Sequence, residues 1–274
     1  MKSRLLLNLI LLALTVGITI YIIKNPVNND NPQRISSLKT QDINKIHISK
    51  EKDDITFYKE NDVWYISSPY QIKAHDFRIN HLLQILEAPV SKTYDSSALN
   101  LNTFDFTPPR AHVTFNNTEI LFGKTNPVTN QRFLLIDSTM FLVYEEVFAL
   151  LGTQASTFVD LSLLPDDSRI TNLSLPGLEL DKVETHWKTT PENLLNADQI
   201  QSLLEHWNSA QAFAVHRYLK RKDLGNIEIH FAEKKIIFEI SDDEPWLILA
   251  RPDLGIEYHL DPSLKNKLFG KPDA

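Results

Sequence analysis

Cysteine is absent from the 274 residues. That excludes disulfides, thiolate metal sites and cysteine nucleophiles, so stability must come from an ordinary hydrophobic core. Glycine is scarce, at 7 residues, and neither Gly-x-Gly-x-x-Gly nor a complete Gly-x-x-x-x-Gly-Lys-Ser/Thr cradle occurs. Phosphate-binding loops need backbone that side chains do not obstruct, so this scarcity counts against nucleotide binding. No Gly-x-Ser-x-Gly turn offers a serine nucleophile. Positive charge is also short: 28 Lys and Arg face 35 Asp and Glu, for a formal net charge of −7. A chain this acidic has no general electrostatic reason to bind nucleic acid or coat an anionic membrane.

Histidine is plentiful, at 9, but metal-ligand spacing is missing. His-Glu-x-x-His does not occur, His75 and His81 fall on different helix faces, and His206 lies beside Glu205. His47, His112, His230 and His259 sit in strand-like runs as polar-face residues. The pairs Asp53-Asp54, Glu145-Glu146 and Asp166-Asp167 and the run Asp242-Asp243-Glu244 lack the alternating oxygens and glycine of a calcium loop. They read as solvated turns. Trp64, Trp187, Trp207 and Trp246 read as core or sheet-face residues rather than a sugar platform. No catalytic residue, metal ligand or cofactor is assigned.

Near the N-terminus, Leu5 to Ile23 runs nineteen residues without a charge. A helix of that length rises roughly 28 Å, about the thickness of a bilayer's hydrocarbon. Lys2 and Arg4 precede it, and bulky Ile20-Tyr21-Ile22-Ile23 stands where a cleaved signal peptide needs small residues. The expectation is a single transmembrane anchor over residues 1–24 with a cytoplasmic N-terminus. The bulk of the chain then lies in the periplasm of a bacterial inner membrane. Residues 25–41, polar and with prolines at 26 and 32, read as a tether.

Beyond the tether the chain reads twice. Ile43 to Ile48, Trp64, Ile79, Leu82 and Leu83 are answered by Ile170 to Leu175, Trp187, Ile200, Leu203 and Leu204, the helical positions at a constant offset of 121. Phe115 and Phe122 are answered by Phe231 and Phe238 at an offset of 116. In the first copy Asn61-Asp62 is a hairpin turn, and Asp76 caps a helix with Phe77, Ile79, Leu82, Leu83 and Leu86 inward. Strands grouped in meanders predict an α+β fold of two tandem repeats, 42–164 and 165–274. Each repeat is a mainly antiparallel sheet packed with one amphipathic helix, and the transmembrane helix precedes both.

Ile46-x-Ile48, Trp64, Asp76, the pair Leu82-Leu83 and the run Ile120-Leu121-Phe122-Gly123 together resemble the bacterial membrane-anchored family of domain of unknown function 4340. The resemblance covers 43–151 and, more loosely, 170–268, where Glu239 stands in place of the glycine. It implies an auxiliary part of an envelope export or transporter system and carries over no catalytic residues. One basic cluster opposes the net charge: His216, Arg217, Tyr218, Lys220, Arg221 and Lys222. It is a candidate contact for an acidic partner or anionic headgroups, against a plain reading as a solvated loop. The expected function is a non-enzymatic adaptor or scaffold with an envelope protein partner. A glycan- or lipid-binding module is the alternative, and a hydrolase is a more remote one.

Overall fold

The computed structural model describes residues 11–20, 33–50, 53–166, 168–231 and 234–271. Residues 11–20 are helical (α1). The first folded unit runs β1 (Lys45–Ser49), β2 (Ile55–Glu60), β3 (Val63–Ser68), β4 (Ile72–Lys73), α2 (Asp76–Leu83), β5 (Val90–Asp95), β6 (Ala111–Phe115), β7 (Thr118–Thr125), β8 (Arg132–Ile136), β9 (Thr139–Val143) and α3 (Phe148–Leu151). The second runs β10 (Ile170–Leu175), β11 (Leu178–Val183), β12 (His186–Thr190), α4 (Ala197–Ser209), β13 (Ala214–Arg217), β14 (Asn226–Phe231), β15 (Lys234–Asp242), β16 (Leu247–Arg251), β17 (Ile256–Leu260) and α5 (Pro262–Leu268).

All ladders are antiparallel. The first sheet has nine strands in the order β4-β3-β2-β1-β6-β7-β8-β9-β5, and the second has eight in the order β12-β11-β10-β14-β15-β16-β17-β13. Without β4 the two orders are the same. This corrects the expected α+β fold with a transmembrane helix in front: the structure is two large antiparallel sheets with few, short helices. The edge strands β5 and β13 escaped sequence reading because their polar residues (Ser-Lys-Thr-Tyr-Asp in β5) carry no apolar alternation. The transmembrane helix is likewise not found among the described residues. Of Leu5 to Ile23 only α1 is described, ten residues rising about 15 Å, roughly half a bilayer's hydrocarbon. Among the described residues no helix is long and apolar enough to cross a membrane. The remainder of that run, and residues 25–32 of the tether, lie outside the described residues.

Local chemistry explains the meanders. Asn61 and Asp62 both take positive φ in the β2–β3 turn, as Asn116 does between β6 and β7. These short polar side chains tolerate left-handed backbone. Asn116 also ties β6 to β1, since its Oδ1 accepts from Asn44 and Lys45 N–H and its Nδ2 donates to Asp42 O. On α2, Ile79, Leu82 and Leu83 are buried, but Phe77 is 74% exposed. Two residues turn a helix by about 200°, which sets Phe77 opposite Ile79. Asp76 is the first helical residue rather than the cap, a position held by His75 without a side-chain bond. Glu145, expected in a solvated pair, is buried against Arg132 Nε at 2.5 Å and accepts from Phe148 N–H. Helix α4 starts on a capping box, Asn196 with Gln199, and buries Trp207, whose Nε1 donates to Leu268 O at 2.9 Å.

The linker between the units pairs with both. Asp160 N–H donates to Lys73 O at the β4 edge, and Ala212 N–H donates to Leu161 O just ahead of β13. Leu163 N–H then donates to Ala210 O. Buried side chains of both sheets and of the linker form one continuous core.

The outer face of the first sheet carries a separate apolar layer of Phe106, Phe133, Leu135, Met140 and Leu142. The β5–β6 connection covers it and presses its backbone on Gly123. A Cβ at Gly123 would meet Phe104 O and lie 2.9 Å from Phe106 Cζ. Gly123→Ala should therefore cost about 1–3 kcal/mol by overpacking, read from the urea midpoint. An unchanged midpoint would show that the connection is free to move away.

Candidate functional site

The second unit builds the same outer face from different chemistry. Register sets the correspondence: Met140 pairs with Leu135 and Tyr94, as Glu257 pairs with Ala250 and His216. Leu142 pairs with Phe133, as His259 pairs with Ile248. Glu257 and His259 thus occupy positions that the first sheet fills with Met and Leu. The same register matches His216 to Tyr94.

Glu257 is 1% exposed and fully engaged. Arg221 grips it through both amino groups, at 2.7 and 2.9 Å, while Leu219 N–H donates at 3.0 Å and His259 Nε2 lies 2.9 Å away. Burial alone would raise the Glu257 carboxyl, but the hydrogen bonds from Arg221, His259 and Leu219 outweigh it and hold the group below its ordinary value. His216 stacks edge-on to His259 at 4.6 Å, and its own value is lowered by burial and by that neighbour. Phe213 lies edge-on to both His259 and Trp246, and Phe213 and Trp246 are 51% and 47% exposed.

The residues of the basic cluster therefore separate. Arg221 is consumed by Glu257. Tyr218 donates to Glu239, and Glu239 pairs with Ala250 as Leu121 pairs with Leu135, so the register sets Glu239 against Leu121 rather than against the glycine expected from the sequence. Lys220 and Lys222 are exposed. Arg217 turns away, to a cavity of about 460 Å³ shared with Lys50, Asp53 and Tyr70 of the first unit. Sequence reading missed Glu257 and His259, because a Glu-x-His step in a strand looks like any polar face. It also missed Phe213 and Trp246, since exposure cannot be read from residue type.

A second cavity, of about 730 Å³, lies at the junction of the units. Tyr65, Ile72 and Lys73 of the first sheet, the linker from Asp160 to Asp166, and Phe231, Ile236, Arg251, Leu254 and Tyr258 of the second unit contribute to its wall. Lys73 binds Asp166 at 2.6 Å, and Arg251 binds Asp253 through Nε and Nη2. Among the described residues no group of three or more His, Asp or Glu is placed to hold a metal ion.

Two large antiparallel sheets of common strand order, joined through a shared linker, define the architectural class. The chain belongs to the family described as Domain of unknown function (DUF4340), whose model matches residues 64–226. The match runs from Trp64 in β3 to Asn226 at the start of β14 and so spans parts of both sheets as one stretch. No curated protein and no solved structure matches the chain.

The Glu257 cluster has a testable energetic signature. Glu257→Gln should cost about 2 kcal/mol, because it leaves Arg221 uncompensated at a site only partly open to water. Replacing the cluster by the first sheet's chemistry (Glu257→Met with His259→Leu and Arg221→Leu) should recover most of that loss. Since the folded Glu257 value lies below the unfolded one, its stabilisation is complete above the unfolded carboxylate value and fades as pH falls through the folded one. Urea midpoints at pH 7 and pH 4 should thus differ less for the triple variant than for the wild type.

Proposed function

We propose that this protein is a non-enzymatic adaptor or scaffold working in the bacterial periplasm, within an envelope or transporter-associated complex. The observation that carries the reading is the contiguous aromatic pair Phe213 and Trp246, half exposed and bordered by His259 and His216. Exposed adjoining aromatics with a polar rim are the usual composition of a protein-binding hot spot. The replacement of Met and Leu by Glu257 and His259 supports the same reading. A fold that closes this face with apolar side chains in one sheet gains nothing by burying charge there in the other.

The reading includes a duplication, in which both sheets descend from one unit. The common strand order and the matching positions Met140/Glu257 and Leu142/His259 support it. One copy kept a sealed outer face and the other exposes a contact surface.

A photo-crosslinking residue at position 246, activated in intact cells, should yield a discrete adduct with an envelope protein. Phe213→Ser should abolish that adduct while leaving the thermal midpoint within a few degrees. Repeated recovery of the uncrosslinked protein alone would overturn the adaptor reading.

A further inference from the structure

The junction cavity carries an inference independent of the aromatic patch. Tyr258 is 2% exposed, packs edge-on to Phe238, and lines this cavity. Register matches it to Phe141: Phe141 pairs with Leu134 and Thr93, as Tyr258 pairs with Leu249 and Val215. The fold therefore needs the ring, and the hydroxyl is extra. That hydroxyl has no hydrogen-bond partner among the described residues, although a buried phenol ordinarily finds one. Its proton is held more tightly than usual, by burial first, and the charges it feels include Arg251 and Asp160, both on the cavity wall. The hydroxyl thus faces the cavity.

The wall sorts into two kinds of surface. Ile72, Leu163, Leu164, Phe231, Ile236 and Leu254 supply an apolar lining. The free charged groups are donors, beside the neutral polar Tyr65, Gln71 and Ser162. Besides the Tyr258 hydroxyl, Lys234 has no ion-pair partner among the described residues, and Arg251 keeps Nη1 outside its grip on Asp253. The carboxylates Asp160 and Asp166 are already engaged by Lys73. A volume of about 730 Å³ is that of a small-molecule site.

We propose that the cavity between the two sheets binds an amphiphilic anion, with its aliphatic chain on the Leu163–Leu164 and Ile236 wall and its carboxylate or phosphate head on Tyr258, Arg251 and Lys234. Free cationic donors with both wall carboxylates engaged select a negative head, and the apolar lining selects an aliphatic chain.

Isothermal titration of the full chain with decanoate, decyl phosphate and 1-decanol, each below its aggregation concentration, tests this. At least one anion should bind saturably, and at least tenfold tighter than the alcohol. Binding of decanoate alone identifies a carboxylate head, and of decyl phosphate alone a phosphate head. Tyr258→Phe should weaken the anion about fivefold or more with the ring's packing intact, and Lys234→Glu, at an exposed position, should weaken it similarly. Should Tyr258→Phe fail to fold, Lys234→Glu decides. Absence of saturable binding by both anions, equal binding of the alcohol, or unchanged affinity in the folded variants would overturn the proposal. Because Phe213 and Trp246 are not part of this cavity, the outcome is separable from the crosslinking result.

Discussion

One stretch of backbone holds the molecule together as a unit: the linker from Phe158 to Leu164. Its carbonyls and amides pair with His75 and Lys73 on the first unit and with Ala210 and Ala212 on the second. Side chains Phe158, Val159, Leu163 and Leu164 are buried in the core common to both sheets. A sheet edge left unpaired in an apolar setting would cost hydrogen bonds at every residue, so the linker satisfies two edges at once. The junction cavity exists because this segment brings the β3–β4 edge beside β15 and β16.

Two outer faces with the same strand order show what the topology does and does not demand. The first closes with Phe106, Phe133, Leu135, Met140 and Leu142 and admits its covering connection onto Gly123. The second closes with Glu257, Arg221 and His259 and holds its connection through Tyr218 on Glu239. Buried ion pairs seldom exceed apolar packing in stabilisation, because desolvation offsets most of the attraction. The Arg221–Glu257 pair, at positions that the first sheet's outer face fills with apolar residues, is therefore informative about use rather than about folding.

Much of the strand plan was legible before any coordinates. Asn61-Asp62 and Asn116 marked turns through their tolerance of left-handed backbone, and apolar residues such as Ile46, Phe115, Ile200 and Leu203 marked the buried faces. The edge strands were not legible, since β5 and β13 are polar on most positions and owe their conformation to the ladders with β9 and β17. The extent of the sheets was thereby underestimated and the helices overweighted. Of the candidate site, the basic cluster was visible, but its members point to different places, and Glu257, His259 and Tyr258 gave no local signal.

The sequence by itself determined the composition of the interior, the turns, and the order in which strands recur, because these depend on residue type and short-range periodicity. It also ruled out disulfides and glycine-rich phosphate loops by simple absence. Tertiary structure alone decided which polar residues became buried partners, which aromatics stayed in solvent, and where a phenol was left facing a cavity. Those outcomes depend on contacts between strands distant in the chain, such as Arg221 with Glu257 or Lys73 with Asp166, and no local pattern encodes a partner so far away.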